Sequence, residues 1–147
     1  MQKYYYTYEE FTEDSKILSE HISIYKPDAL LAVARGGLTL GHFIASRLKM
    51  RNVFALNCIH YDYEKKLDTF EIFNIPDLNN FTKVVIIDDI ADSGETLREL
   101  LKVLKTKFPS CDFKVATIFY KPSSFVIPDF SLKIASSWIE FFWEFEN

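Results

Sequence analysis

The stretch that decides the fold reads Val84-Val85-Ile86-Ile87-Asp88-Asp89-Ile90-Ala91-Asp92-Ser93-Gly94-Glu95-Thr96-Leu97. Its first four residues are apolar, favour β structure and do not alternate with polar residues, which is typical of a strand buried on both faces in a parallel sheet. After the loop, apolar residues recur at helical spacing and predict a helix: Leu97, Leu100, Leu101, Leu104 and Phe108. A buried strand that leads through a short loop into a helix predicts an α/β fold, with a single domain whose mostly parallel central sheet is flanked by helices.

The loop between this strand and this helix has the composition of an anion site. In open α/β sheets, ligands bind at the carboxyl ends of the strands, and a helix N-terminus carries unpaired N–H groups and a partial positive charge. Gly94 allows the backbone to come close to an anion, and Ser93 and Thr96 each offer a hydroxyl. The loop therefore predicts a bound phosphate group.

Three acids accompany this predicted phosphate site. Asp88 and Asp89 end the strand, and Asp92 lies in the loop. Direct contact with phosphate would be repulsive, so these carboxylates suit sugar hydroxyls, a divalent cation or a cationic reacting centre. An Asp-x-x-Ser segment before a helix is often only an N-cap, but capping does not explain a doubled aspartate at the end of an apolar strand. A ligand that combines ribose, phosphate and magnesium satisfies all these features.

The segment resembles the phosphoribosyl-pyrophosphate (PRPP) signature of the type I phosphoribosyltransferases, in which four apolar residues and two acids precede Asp-(Thr/Ser)-Gly-x-Thr. The resemblance implies that Asp88 and Asp89 face the ribose hydroxyls and the hydrated metal. It also implies that a run of loop residues seats the 5′-phosphate of PRPP: Asp92, Ser93, Gly94, Glu95 and Thr96. The charge of Glu95 then has to point away from the phosphate. Asp92 is in addition the candidate general base near purine N7.

Composition bounds the class of protein. The chain has 147 residues, 48% of them hydrophobic, which fits one compact domain over residues 1–147. A formal net charge of -4 without a Lys/Arg cluster argues against nucleic-acid binding. Cys58 and Cys111 are far apart in sequence and predict core thiols rather than a disulfide framework or a CxxC metal site. The N-terminus lacks the apolar core of a signal peptide, and no apolar run has membrane-spanning length, so we expect a soluble, cytoplasmic protein.

Periodicity and capping predict the other elements. The residues Thr7-Tyr8-Glu9-Glu10 have the form of a capping box and begin a helix that ends at Lys26-Pro27. The tyrosines of residues 4–6 predict aromatic packing or a subunit contact. The remaining predictions are strands over residues 28–34, 53–59, 112–120 and 131–135, and a helix over residues 38–48.

A second glycine-containing turn, Arg35-Gly36-Gly37, joins the strand over residues 28–34 to its helix. All four glycines of the chain lie in or beside this turn and the first loop, which indicates that backbone freedom is concentrated at a ligand site. An Arg-Gly-Gly turn alone is an ordinary tight loop. Together with the first motif, it resembles the pyrophosphate loop of the 6-oxopurine phosphoribosyltransferases. The resemblance implies that Arg35 and the amides near Gly36 and Gly37 hold pyrophosphate oxygens, and that the Ala34–Arg35 peptide is cis.

The segment over residues 60–80 has two interpretations. It is polar and charged at first, then alternates around Phe70 and Ile72, and ends in a Pro-Asp-Leu-Asn-Asn turn. It predicts either a surface hairpin or loop, or a flexible lid, because the family carries at this place a loop that closes over the substrates and excludes water. The sequence leaves both interpretations open and assigns no catalytic role within this segment.

Two further motifs bear on the base. A lysine before proline, such as Lys121, is by itself usually a solvated turn residue, but Ile-Phe-x-Lys-Pro in the resembling family supplies a lysine that donates to the purine 6-oxo group. The segment over residues 138–144 is similar to the Trp-Ile-(Asp/Glu)-x-Pro-Trp-(Asp/Glu) signature of the bacterial xanthine-guanine phosphoribosyltransferases. This resemblance implies that Trp138 stacks on the purine, that the Ile139 carbonyl reads the group at position 2, and that Glu144 helps to hold magnesium with pyrophosphate. Phe142 replaces the usual proline.

The four motifs occur in the family's order along the chain. They predict a type I phosphoribosyltransferase fold with a small C-terminal base-recognition hood, here defined as residues 136–144. The predicted reaction joins PRPP to guanine, xanthine or hypoxanthine, with Mg²⁺ held by Asp89 and Glu144, in a homodimer or homotetramer. Three alternatives stay open: a purine- or PRPP-sensing regulator on the same fold, a phosphoribosyltransferase for adenine, orotate or uracil, and a receiver domain.

Overall fold

The computed structural model describes residues 2–63 and 67–145. Ten strands and three helices follow one another in this part of the chain: β1 (Lys3–Tyr6), α1 (Tyr8–Tyr25), β2 (Ala29–Ala34), α2 (Leu38–Leu48), β3 (Val53–Tyr63), β4 (Leu67–Phe73), β5 (Lys83–Ile87), β6 (Ile90–Ala91), α3 (Glu95–Lys107), β7 (Asp112–Ala116), β8 (Phe119–Tyr120), β9 (Lys133–Ile134) and β10 (Trp138–Phe141). None of these three helices is long and apolar enough to cross a membrane.

The central sheet has the order β4-β3-β2-β5-β7. Its neighbours run parallel, except that β4 is antiparallel to β3. Strands β2 and β5 occupy the middle and pair in register, with Leu31 opposite Ile86. The prediction of a mostly parallel sheet within an α/β fold is confirmed.

Alternate side chains of β5 enter two separate cores. Val85 and Ile87 pack in the cluster that contains the apolar faces of α1 and α2, whereas Val84 and Ile86 pack in the cluster that contains the apolar face of α3. All four residues are fully buried. Burial on both faces explains why this strand is an uninterrupted apolar run, since neither face meets water.

Helix α1 begins with the predicted capping box. Glu10 donates its backbone N–H to Thr7 Oγ1, and Thr7 donates its N–H to Glu10 Oε2, both at 3.2 Å. The helix ends where Lys26 adopts a left-handed conformation with φ of 56° immediately before Pro27. Local sequence signals therefore set both ends of this helix.

The structure breaks the predicted strand over residues 112–120 into two. The N–H of Thr117 donates to the Phe130 carbonyl at 3.0 Å, and the Thr117 hydroxyl donates to the Phe119 carbonyl at 2.7 Å. These bonds replace the ladder of the central sheet, so β8 lies instead in a three-stranded sheet of order β6-β8-β9. The predicted single strand was wrong, because the apolar pattern continues through the break while the pairing partner changes.

β3 pairs with the next strand, antiparallel β4, from Asn57 opposite Phe73 to Tyr63 opposite Leu67. The prediction of a hairpin is confirmed, although β3 extends beyond the predicted end at residue 59. Part of the predicted lid, residues 64–66, lies outside the described residues, and the lid function stays a prediction.

The N-terminal tyrosines form a strand that the sequence analysis did not predict. β1 pairs in parallel with β10, which places Tyr4 opposite Ile139 and Tyr6 opposite Phe141. This two-stranded sheet joins residues more than 130 positions apart, so no local pattern could indicate it.

Candidate active site

The two predicted ligand loops are neighbours because their strands are neighbours. Ala32 of β2 lies opposite Ile87 of β5. The turn that begins at Arg35 and the acids after Ile87 therefore both lie at the carboxyl ends of the sheet's strands. The contact is close: a Cβ added to Gly36 would lie 2.7 Å from Asp89 Oδ2. The predicted non-proline cis peptide is present at Ala34–Arg35.

A cavity of about 780 Å³ opens at the carboxyl ends of these strands, and we refer to it as the first cavity. Most of the predicted phosphate and ribose residues line it: Arg35, Gly36, Asp88, Asp89, Asp92, Ser93, Gly94 and Thr96. Glu144 from the hood lines it as well. The structure thus brings the Arg-Gly-Gly turn, the loop before α3 that resembles the PRPP signature, and one hood acid around the first cavity.

Both helices that begin at the first cavity have a glycine at the N-cap. Gly37 is the N-cap of α2 and Gly94 the N-cap of α3, and no side-chain hydrogen bond caps either helix. Because the first N–H groups of a helix lack intrahelical acceptors, two such N-termini at one cavity favour a ligand with more than one anionic group.

Two predicted phosphate contacts do not line the cavity. Gly37 is buried and donates its N–H to the Val33 carbonyl at 2.8 Å, and a Cβ there would lie 2.2 Å from the Ile87 carbonyl oxygen. Its position therefore supports close packing of α2 against β5 rather than a phosphate contact. Glu95 is the first residue of α3, and its carboxylate lies 3.9 Å from the His60 imidazole, which agrees with a charge that points away from the phosphate.

Hydrogen bonds to the β7–β8 connection fix the paired acids. Asp88 donates its N–H to the Ala116 carbonyl, and the Asp89 carbonyl accepts from Ile118 and Phe119. Asp89 also donates its N–H to Asp88 Oδ1 at 2.9 Å. Backbone contacts on both sides of the pair therefore hold the two carboxylates at the cavity.

The pKa values of these acids are raised mainly by burial, with mutual repulsion as a second cause for Asp88 and Glu144. Burial raises the pKa of Asp88 well above its usual value, and the neighbouring Asp89 charge raises it further. Burial also raises the pKa of Asp89. The pKa of Glu144 is raised by burial and then by the charges of Asp89 and Glu140. A cation at this place would relieve the repulsion.

A second cavity, of about 500 Å³, adjoins the first. Its lining includes the three predicted purine contacts Lys121, Trp138 and Ile139. The two cavities have residues in common, namely Asp89, Ile90, Asp92 and Glu144. Arg35 and Trp138 line different cavities, but both cavities meet at Asp92.

Asp92 and Lys121 contact each other directly. Lys121 Nζ lies 2.7 Å from Asp92 Oδ1, and both side chains are partly exposed. Lys121 also donates its backbone N–H to the Ala91 carbonyl, and Phe125 donates its N–H to the Ser93 carbonyl. These bonds tie the loop after β8 to the loop before α3, so the candidate general base and the candidate purine lysine lie on two directly connected loops.

The structure adds lining residues that the sequence analysis missed. Thr39 and Cys58 line the first cavity, and Ser136 and Ser137 line the second. Thr39 lies in the first turn of α2, as Thr96 does in α3, so a hydroxyl at a helix start was a usable signal. Cys58 gave no such signal, because its place on β3 beside Asp88 depends on sheet order.

The fit of the site to Mg²⁺ rests on its carboxylates. No group of three or more His, Cys, Asp or Glu residues that could hold a metal occurs in the described chain. Mg²⁺, however, is commonly held by one or two carboxylates together with substrate phosphates. Asp89 and Glu144 line the same two cavities and raise the local negative charge, so they fit a metal that arrives with an anionic substrate.

Comparisons with known proteins assign the chain to a family. The model of the phosphoribosyl transferase domain family matches residues 7–147, and the chain belongs to this family. The xanthine-guanine phosphoribosyltransferase of Idiomarina loihiensis is 27% identical over 118 residues, which are 78% of this chain and 70% of that protein.

Two solved structures share the fold over nearly the whole chain. The xanthine-guanine-hypoxanthine phosphoribosyltransferase of Helicobacter pylori has a TM-score of 0.90 and 38% identity and covers 97% of this chain and 94% of its own. A purine phosphoribosyltransferase from Pyrococcus horikoshii has a TM-score of 0.87 and 30% identity, and the match covers 100% of this chain and 97% of that one. The chain thus belongs to the phosphoribosyl transferase domain family and shares the fold of these two structures.

Proposed function

We propose that this chain transfers the 5-phosphoribosyl group of PRPP to a 6-oxopurine, and that guanine, xanthine and hypoxanthine are its candidate bases. The products are the nucleoside 5′-monophosphate and pyrophosphate. The observation that carries the proposal is the pair of adjoining cavities that meet at Asp92, one with two helix N-termini and one with Lys121 and Trp138.

Each part of the first cavity has a proposed role. Arg35 and the amide of Gly36 bind the pyrophosphate, which leaves as negative charge develops on it. The N-terminus of α3, with the hydroxyls of Ser93 and Thr96, binds the 5′-phosphate. Asp88 and Asp89 orient the ribose hydroxyls, and the pair of acids stabilises the developing ribosyl cation beside it.

The second cavity holds the base in this proposal. The Trp138 ring, 55% exposed, offers a face for stacking, and Lys121 donates to the 6-oxo group. Asp92 accepts the proton that the base loses at N7. When bound, Mg²⁺ would neutralise pyrophosphate charge, and Asp89 and Glu144 are the residues that would hold it.

Pyrophosphate release tests this function. PRPP and Mg²⁺ are supplied with guanine, xanthine, hypoxanthine, adenine, orotate or uracil, one at a time. Turnover confined to the first three bases supports the proposal, whereas turnover with another base shifts the assignment. PRPP or nucleotide binding without pyrophosphate release from any base supports a regulator instead.

A substitution separates the role of Asp92 from that of the fold. Asp92→Asn should retain PRPP binding and lose about 10²–10⁴-fold in turnover, the usual contribution of a general base. Glu13→Gln removes the charge of an exposed acid on α1 that lines neither cavity and serves as the control. Unchanged turnover in Asp92→Asn would remove the proposed role.

The family relationship also leads us to propose a homodimer or homotetramer. Sedimentation of the purified protein tests this directly, and a monomer at working concentration would contradict it.

A further inference from the structure

The strand that carries the proposed base contacts stands apart from the central sheet. In the described chain, β10 pairs with β1 and with no strand of the five-stranded sheet. The loops of the first cavity, in contrast, follow strands in the middle of that sheet. The position of Trp138 and Ile139 therefore depends on β1 in a way that the position of the phosphate loop does not.

The register shows which backbone groups make this pairing. Phe142 donates its N–H to the Tyr6 carbonyl at 3.1 Å. Backbone groups of successive strand residues point to opposite edges, so Tyr4 and Tyr6 direct their N–H and C=O groups toward β10. By the same alternation, Ile139 directs its N–H and C=O away from β1. The Ile139 carbonyl therefore lies on the side of β10 that does not pair with β1, and Ile139 lines the second cavity.

A buried polar cluster anchors β1. The Tyr6 hydroxyl donates to Asp14 Oδ2 at 2.7 Å, and Lys133 Nζ lies 2.9 Å from the same oxygen. Tyr6 is 1% exposed and Asp14 is 8% exposed. Asp14 lies on α1 and Lys133 on β9, just before the hood, so one carboxylate joins β1, α1 and the start of the hood.

Aromatic contacts complete the anchor. The Tyr6 ring makes edge-on contacts with Phe119, Phe141 and Trp143, at centroid distances of 5.1, 5.8 and 6.5 Å. Burial and the hydrogen bond to Asp14 raise the pKa of Tyr6, so its hydroxyl remains a donor throughout the physiological range. The cluster therefore fixes β1 both by packing and by charge-assisted hydrogen bonds.

We propose that Tyr4 and Tyr6 of the N-terminal strand, with Asp14 and Lys133, are positioning residues that set base affinity by holding β10 and the Ile139 carbonyl at the second cavity. None of the four lines either cavity. The inference rests on the proposed function, since it assigns the second cavity to the base. It separates two positions: β1 sets the position of the base contacts on β10, whereas the central sheet sets the position of the phosphate loop before α3.

A proline scan of β1 tests the backbone contribution. Tyr4→Pro removes an N–H that faces β10, and Tyr4→Ala removes the same side chain but keeps that N–H. Tyr5→Pro is the matched control, because Tyr5 is exposed and its N–H faces the outer edge, where no strand of the described chain pairs. Relative to Tyr4→Ala, Tyr4→Pro should raise the KM for guanine or hypoxanthine about five- to tenfold, the size of one net hydrogen bond. The KM for PRPP should change less than about twofold.

A tyrosine pair tests the buried cluster. Tyr6→Phe and Tyr25→Phe each remove a hydroxyl that donates to an aspartate carboxylate, Asp14 or Asp112 respectively. Asp112 begins β7, so the Tyr25 contact lies at the amino ends of the parallel strands, whereas both cavities lie at the carboxyl ends. Both variants should lower the melting temperature, but only Tyr6→Phe should raise the KM for the base.

The outcomes separate the two proposals. Equal rises of the base KM in Tyr4→Pro, Tyr4→Ala and Tyr5→Pro, or of the base and PRPP KM values in Tyr6→Phe, would overturn the positioning role while the enzyme assignment stands. A wild-type protein that releases no pyrophosphate with any base would instead overturn the proposed function. Should Tyr4→Pro fail to fold, Tyr6→Phe against Tyr25→Phe still decides the question.

Discussion

Replacement of Gly94 by alanine tests the conformation of the proposed phosphate loop. Gly94 has φ of +79°, where an L side chain costs about 1–2 kcal/mol. The added Cβ would lie 2.3 Å from Ser124 Oγ and 2.7 Å from the Phe125 nitrogen. Phe125 is held by its hydrogen bond to the Ser93 carbonyl, so backbone has to move, and such overpacking costs about 1–3 kcal/mol. The total is about 2–5 kcal/mol.

This cost should appear in both stability and substrate binding. At about 3 °C per kcal/mol for a chain of this size, the melting temperature should fall by about 6–15 °C. Since the displaced segment is the N-cap of α3, the KM for PRPP should rise about tenfold or more, equivalent to about 1.4 kcal/mol. Thermal unfolding and steady-state kinetics with varied PRPP measure the two effects.

Gly41→Ala is the matched control for this substitution. Gly41 lies inside α2, and its added Cβ would meet only the Ala32 methyl at 3.0 Å. The gain in helix propensity, about 0.5–1 kcal/mol, offsets this tight contact, so the control should melt close to wild type. If Gly94→Ala melts within about 1 °C of wild type and keeps its KM for PRPP, the strain argument fails.

Three other predictions concern the charges of the site. Because burial and the Asp89 charge raise the pKa of Asp88, the folded protein holds more protons than the unfolded chain, and its free energy of unfolding should fall as pH rises above about 4. Denaturation at pH 5 and pH 8 checks the sign, and Asp88→Asn should flatten the slope. Lys121→Gln removes the cation beside Asp92 and should raise the KM for the base while the KM for PRPP stays within about twofold; equal rises of both would contradict base recognition by this lysine. Burial and the Asp88 charge raise the pKa of Cys58 to about 11, so its alkylation at pH 8, followed by peptide mapping, should be about 100-fold slower in native than in unfolded protein.

The sequence was sufficient for the centre of the fold. The apolar run over residues 84–87 predicted a strand buried on both faces, and its side chains do enter two cores. The capping box at Thr7 predicted the start of α1. These features could be predicted because the hydrophobic periodicity of a helix or strand and the residues that cap a helix are patterns within a few neighbouring positions of the sequence.

The periphery could not be predicted for the opposite reason. The pairing of β1 with β10 and the transfer of β8 to a second sheet depend on contacts between distant segments. Thr117 ends the ladder of β7 through its own hydroxyl and N–H, yet its neighbours continue the apolar pattern of a strand. Pairing partners leave no local signature in such a run.

The same division applies to the candidate site. The motifs placed Arg35, Asp88 and Asp92 at strand ends, and sheet order then brought them to one cavity. The motif at Arg-Gly-Gly did not distinguish Gly36, which lines the cavity, from Gly37, whose lack of a side chain is required for packing against Ile87. Gly36 and Gly37 therefore have different structural roles, and the sequence alone does not show which glycine has which role.

The break at Thr117 also bears on how such proteins diversify. It transfers the chain from the central sheet to the small sheets that carry Lys121 and, further on, lead to Trp138. Phe119 and Phe141 of those small sheets pack in the same core as Val85 and Ile87, so a lineage that reshapes the second cavity has to keep these apolar positions filled. A designer who wishes to alter the second cavity would randomise its exposed lining residues after position 117, such as Ser136 and Trp138, and leave the buried residues unchanged.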